Sequence, residues 1–140
     1  MTNAVALPGY LAPLRDALVD ARKSRQPITT TGVPEPRNDA DAYAVQRAVA
    51  DEFGWFAAAP TAWKVGAASR TATPNAAPLP ARGVRASPAT FARGSFNRIL
   101  IEGEVAFRLQ SPLAADVRAD DAAAVSAAIG DAGCEADVQE

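Results

Sequence analysis

The chain contains no histidine and a single cysteine, Cys134. The first absence excludes Ser-His-Asp triads, Cys-His dyads and histidine-ligated zinc within these 140 residues. Any metal centre built from this sequence is therefore carboxylate-rich. Any proton transfer falls to Lys, Asp, Glu, Tyr or water. The lone cysteine excludes an internal disulfide framework. No apolar run approaches the roughly 20 residues that span a bilayer. The N-terminus lacks a basic segment followed by an apolar one, so no signal peptide and a cytoplasmic location are expected. A net charge of −2 gives no electrostatic case for nucleic acid. Large apolar side chains are also few. The hydrophobic fraction is 49%, but 34 of those residues are alanine, so the core is thin for the length. Lysine is scarcest among the charged types, with Lys23 and Lys64 set against twelve arginines.

The organisation that remains is readable from periodicity. Residues 1–9 read as a loose arm. From Tyr10 to about Arg25, Leu11, Leu14, Leu18 and Ala21 recur at helical spacing, with Pro13 in the first turn. Arg22, Lys23 and Arg25 suit the C-terminal end of the helix dipole. Residues 26–37, with three prolines and a threonine run, read as a loop. Asn38 or Asp39 then caps a second helix whose apolar stripe is Ala42, Val45, Val49 and Phe53, with Gly54 as its stop. Tyr43 and Gln46, three apart, share a face of it.

Thr61–Ala67 reads as a short strand, with Trp63 and Val65 on one side and Lys64 on the other. In so arginine-rich a chain Lys64 stands out, because a buried ammonium lowers its pKa as a guanidinium cannot. Residues 68–95 read as a long connection carrying Arg70, Arg82, Arg85 and Arg93, which either meet an anion or are solvated. The segment from Arg98 to Leu109 alternates. Ile99, Ile101, Val105, Phe107 and Leu109 form one face with Gly103, and Glu102 and Glu104 lie on the other. This is the pattern of a half-buried strand. Two carboxylates spaced by two on a strand can converge on a hard cation such as Mg²⁺, Mn²⁺ or Ca²⁺. Asp120 and Asp121 open a third helix, with Val125, Ala128 and Ile129 inward and Gly130 near its end. The last ten residues carry four acids and little apolar content, so no apolar strand is expected there.

Four blocks together resemble a known family. Ala42-Tyr43-Ala44-Val45-Gln46, Trp63-Lys64-Val65-Gly66-Ala67, Ala77-Pro78-Leu79 and Ile101-Glu102-Gly103-Glu104-Val105-Ala106-Phe107-Arg108-Leu109 are similar, in order and rough spacing, to the 2-keto-4-pentenoate hydratases of the fumarylacetoacetate hydrolase superfamily. The 4-oxalocrotonate decarboxylases are close relatives of these. The resemblance runs from about Leu11 to Ile129. It implies an α+β fold in which N-terminal helices (1–60) pack on a mixed β-roll beginning in 61–140, all within one domain. It also implies a bound Mg²⁺ or Mn²⁺, with Glu102 and Glu104 as two ligands. Asp137 becomes the third ligand in this register, with Glu135 as the other candidate. Lys64 takes the place of the active-site lysine.

The activity so implied is metal-dependent hydration of a 2-hydroxypenta-2,4-dienoate or 2-keto-4-pentenoate type acid, as in meta-cleavage catabolism of aromatic compounds. Decarboxylation or C–C hydrolysis of a 2-oxo acid on the same scaffold is the alternative. Homo-oligomerisation, or association with a related decarboxylase, is the expected quaternary arrangement. Members of this family are nearly twice as long, and the loop at 74–85 lacks an acid that some of them carry. The expectation is therefore a C-terminally truncated member, marginally stable, either active alone or a non-catalytic fragment that binds a full-length partner.

Overall fold

The computed structural model describes residues 6–97, 99–114, 116–118 and 121–139, with the backbone alone at 93 and 131–139. Among these the chain is α+β, with three α-helices and two small antiparallel sheets. It divides into two compact units, 1–91 and 92–140, each considered by itself.

The first unit begins with Leu7, which packs on the helical core instead of trailing as part of a loose arm. A turn of 3₁₀ helix, Gly9–Leu11, leads into α1 (Ala12–Ser24), with Pro13 in the first turn where no N–H is needed. Helix α1 ends on Arg25 in the left-handed region (φ 57°), and the Gln26 N–H reaches back to the Ala21 carbonyl at 3.2 Å. Helix α2 (Asp39–Glu52) is capped by Asn38, whose side chain accepts the Asp41 N–H at 2.9 Å. Asp41 in turn accepts the Arg37 N–H at 3.1 Å, so the helix entrance is bonded in both directions. Gly54 stops the helix at φ 60°, and the Trp55 N–H bonds the Ala50 carbonyl at 3.0 Å.

The helices close on Leu11, Val19, Val45 and Val49, with Leu14, Leu18, Phe53 and Trp55 packed around them. The inward side of α2 is rotated from the expected stripe: Ala44 and Ala50 are buried, whereas Ala42 is exposed. An alanine-rich helix gives periodicity little contrast, and the valines alone fix which side turns inward. Lys23 links the helix ends through a 2.6 Å ion pair with Glu52, which Arg15 approaches at 3.9 Å.

Strand β1 (Trp63–Gly66) pairs antiparallel with β2 (Asn75–Pro78), Lys64 opposite Ala77 and Val65 opposite Ala76. Strand β2 interrupts what reads from sequence as one long connection. Its residues, Asn-Ala-Ala-Pro, carry no strand signature, and the pairing is made by backbone groups that composition does not reveal. Pro78 sits at its end, where a missing N–H is tolerated.

The second unit is a ribbon of β3 (Leu100–Leu109) and β4 (Ile129–Gln139), joined through the short helix α3 (Ala122–Ala128). Asp121 caps α3 by accepting the Ala124 N–H at 2.9 Å, while Asp120 lies outside the described residues. Ala128 is buried as expected, but Ile129 already belongs to β4. The acidic end of the chain is therefore extended and paired as far as Gln139, against expectation: Ala132, Cys134, Ala136 and Val138 alternate with Asp131, Gly133, Glu135 and Asp137, but the apolar set is mostly small and gives the period little contrast. The register skips Gly130: Arg108 faces Asp131 and Leu109 faces Ile129. A Cβ at this bulge would lie 2.8 Å from the Gln110 Cβ, which explains a glycine there better than a helix end does.

The alternation in β3 is real, but its apolar side is not covered. Ile101 is 73% exposed, Val105 65% and Phe107 60%, while Glu104 and Ala106 on the opposite side are half-buried. No helix among the described residues is long and apolar enough to cross a membrane.

Candidate functional site

In the first unit the period-two backbone of β1 leaves Trp63 and Val65 exposed and Lys64 half-buried on the opposite side. That side, together with α2, forms a cleft of about 370 Å³. Asp39, Tyr43 and Gln46 enter it from α2, Lys64 from β1 and Asn75 from β2. The pairing of Tyr43 and Gln46 on one helix face is as the sequence implies. Their convergence with Lys64 is a tertiary fact.

Tyr43 also holds the cleft together. The Leu79 N–H donates to the Ala62 carbonyl at 2.9 Å, extending the β1–β2 ladder. The alternation of an antiparallel pair then turns the Ala76 N–H away from β1. The Tyr43 hydroxyl accepts that N–H at 3.1 Å, so an otherwise open sheet edge is closed by the helix. Asp39 and Asn75 carry no motif and were not anticipated. An amine, an amide, a phenol and a carboxylate around one small open volume suit a compact polar ligand with a carbonyl or carboxylate group.

The second constellation lies on the ribbon. The period of β3 sets Glu102 and Glu104 on one face, Glu104 half-buried and Glu102 exposed. The β3–β4 register places Asp137 opposite Glu102 and Glu135 opposite Glu104. Directly opposed residues share a face of an antiparallel pair, and like charges there are destabilising unless a counter-charge intervenes. A donor set made only of carboxylate oxygens fits a hard divalent cation. Among the described side chains no group of three or more possible metal ligands is assembled. The side chains of Asp137 and Glu135 lie outside the described residues, so their contribution rests on backbone register alone.

Two of the described arginines of 68–95 meet aromatic rings. Arg82 lies 4.9 Å from the Trp55 ring centroid and Arg85 5.2 Å from that of Phe91, so both stack on aromatic rings. Arg70 is exposed, and the side chain of Arg93 lies outside the described residues.

One further polar cluster is structural. The Tyr10 hydroxyl donates to Asp41, and the Arg37 guanidinium lies 4.2 Å from the Tyr10 ring centroid. Desolvation, reinforced by the hydrogen bond to Asp41 and its negative charge, holds the Tyr10 pKa above the usual tyrosine value. The hydrogen bond and charge of Lys23 hold the Glu52 pKa below the usual carboxylate value. No family model matches the chain, and comparison with curated proteins and with solved structures finds no match.

Proposed function

We propose that the chain carries a divalent-metal site for 2-oxo acid chemistry of the 2-keto-4-pentenoate hydratase kind. Glu102, Glu104 and Asp137, with Glu135 as the alternative third acid, hold Mg²⁺ or Mn²⁺, and Lys64 is the catalytic amine. The observation that carries this reading is the cross-strand register, Glu102 with Asp137 and Glu104 with Glu135. Four acids in two adjacent opposed pairs place a carboxylate-only donor set at neighbouring positions of one face, the kind of set a hard divalent cation takes. The fold that goes with this reading is the mixed β-roll of the fumarylacetoacetate hydrolase type.

The proposed substrate is a small 2-hydroxydienoic or 2-oxo acid. The 2-hydroxyl proton moves to C5 as the dienol ketonises, and water then adds across C3=C4, its hydroxyl to C4 and its proton to C3. When bound, the metal supplies Lewis-acid charge to the substrate's carboxylate and 2-oxygen. The protein's part is proton handling and orientation. Lys64 takes the proton released by the 2-hydroxyl and returns it to carbon. Gln46 and Tyr43 border the same cleft as Lys64 and orient the amine. Decarboxylation or C–C hydrolysis uses the same groups on a different substrate.

The test is to mix the chain with Mn²⁺ or Mg²⁺ and 2-hydroxypenta-2,4-dienoate and follow the dienol absorbance. Metal-dependent loss that disappears in Glu102→Gln, Glu104→Gln and Lys64→Met supports the proposal. Turnover that survives all three substitutions, or no turnover with any 2-oxo acid of this class, contradicts it.

A further inference from the structure

The ribbon has two unlike faces. Behind the acidic pairs, the register matches Ile101 with Val138, Gly103 with Ala136, Val105 with Cys134 and Phe107 with Ala132. Every one of these positions is apolar or glycine, and no charged position interrupts them. A two-stranded ribbon with one uncovered apolar face is not a stable end state in water.

We propose that this face is an isologous dimer interface, covered by the same face of a second copy of the chain. The pattern along β3 is its own complement. Phe107 projects two residues to one side of Val105, and Gly103 leaves a notch two residues to the other. Nothing lies within 4 Å of a Cβ placed on Gly103, so the notch is open. A two-fold axis in the plane between the ribbons, passing over Val105, sets Phe107 of each copy above Gly103 of the other. It also sets Ile101 above Leu109. Residue i then meets j while j meets i, as a two-fold contact requires. Two such ribbons stacked about 10 Å apart form a small sandwich.

Charge and area both favour a copy over a foreign partner. The face has no charged position to match on an unlike protein, and the acidic pairs occupy register positions of the other face, so two copies do not repel across it. Ile99, just before β3, and Ile101, Val105, Phe107 and Leu109 on it are 48–73% exposed, and with roughly 100 Å² on each a pair of copies buries about 1,000 Å² through these side chains. That reaches the lower edge of the range for specific interfaces. The proposal does not depend on the metal reading, because Glu102 and Glu104 lie on the opposite face.

Sedimentation equilibrium of the full chain, from about 1 to 300 µM, tests it. The expected result is a monomer–dimer equilibrium that closes at two copies. Gly103→Phe fills the notch against Phe107 and is expected to weaken dimerisation by about tenfold or more. The double variant Gly103→Phe/Phe107→Gly exchanges knob and notch and is expected to restore it to within about threefold. That rescue separates loss of contact from loss of fold, and far-UV circular dichroism is recorded alongside. A monomer across the whole range overturns the proposal. So does open-ended association, a dimer indifferent to Gly103→Phe, or a double variant no better than the single one.

Discussion

The Tyr43 hydroxyl accepts the Ala76 N–H at 3.1 Å, tying α2 to the outer strand of the pair that carries Lys64. Removing the acceptor in Tyr43→Phe frees that edge. The expected cost is about 0.5–1.5 kcal/mol. Amide exchange at Ala76 is expected to accelerate while the interior of α2 stays protected. Unchanged protection at Ala76 contradicts the edge-closing role.

Helix α2 depends on its entrance. Asn38→Ala removes the acceptor for the Asp41 N–H and is expected to cost about 1 kcal/mol, with Asn38→Asp close to the parent. Urea unfolding reads this as a lower midpoint at unchanged slope.

The bulge at Gly130 leaves no room for a side chain. A Cβ there meets the Gln110 Cβ at 2.8 Å, an atom fixed to the backbone, so the strands themselves have to shift. Gly130→Ala is expected to destabilise the ribbon by about 1–3 kcal/mol. Faster amide exchange along β3 near Leu109 is the readout.

The Lys23–Glu52 pair gives a pH dependence of definite sign. Its lowered pKa means that folded Glu52 binds fewer protons than the unfolded chain does in acid. The stabilisation is therefore present above the ordinary carboxylate pKa and is lost as pH falls through the lowered value. Lys23→Met is expected to raise the Glu52 pKa toward the ordinary range. The stability gap between parent and variant is expected to be widest near neutrality and to close in acid. A gap that widens in acid contradicts this assignment.

What the sequence discloses and what it hides divide along one physical line. Asn38, Gly54 and Asp121 are legible because a cap or a stop needs a particular side chain, or none, at a particular place. The alternation from Ile99 to Leu109 is legible because strand geometry imposes a period of two. Strand β2 is not legible, because Asn75–Pro78 carries no strand preference and is held by backbone hydrogen bonds. Strand β4 does alternate, but its apolar positions Ala132, Cys134 and Ala136 are small, and the acids between them dominate the reading. Gly130 reads as a helix end until its neighbour across the ribbon is known. Arg25 occupies a left-handed position that glycine usually fills, so nothing local marks it. At the cleft, Lys64 stands out by rarity and Tyr43 with Gln46 by spacing, but Asn75 and Asp39 join them only through the fold.

The paired acids of the ribbon are most directly tested by calorimetric titration of Mn²⁺ into the full chain. One ion per chain is predicted, with affinity falling about tenfold or more in Glu102→Gln, in Glu104→Gln and in Asp137→Asn. Absence of binding, or binding that all three substitutions leave unchanged, would contradict the metal site and the chemistry built on it.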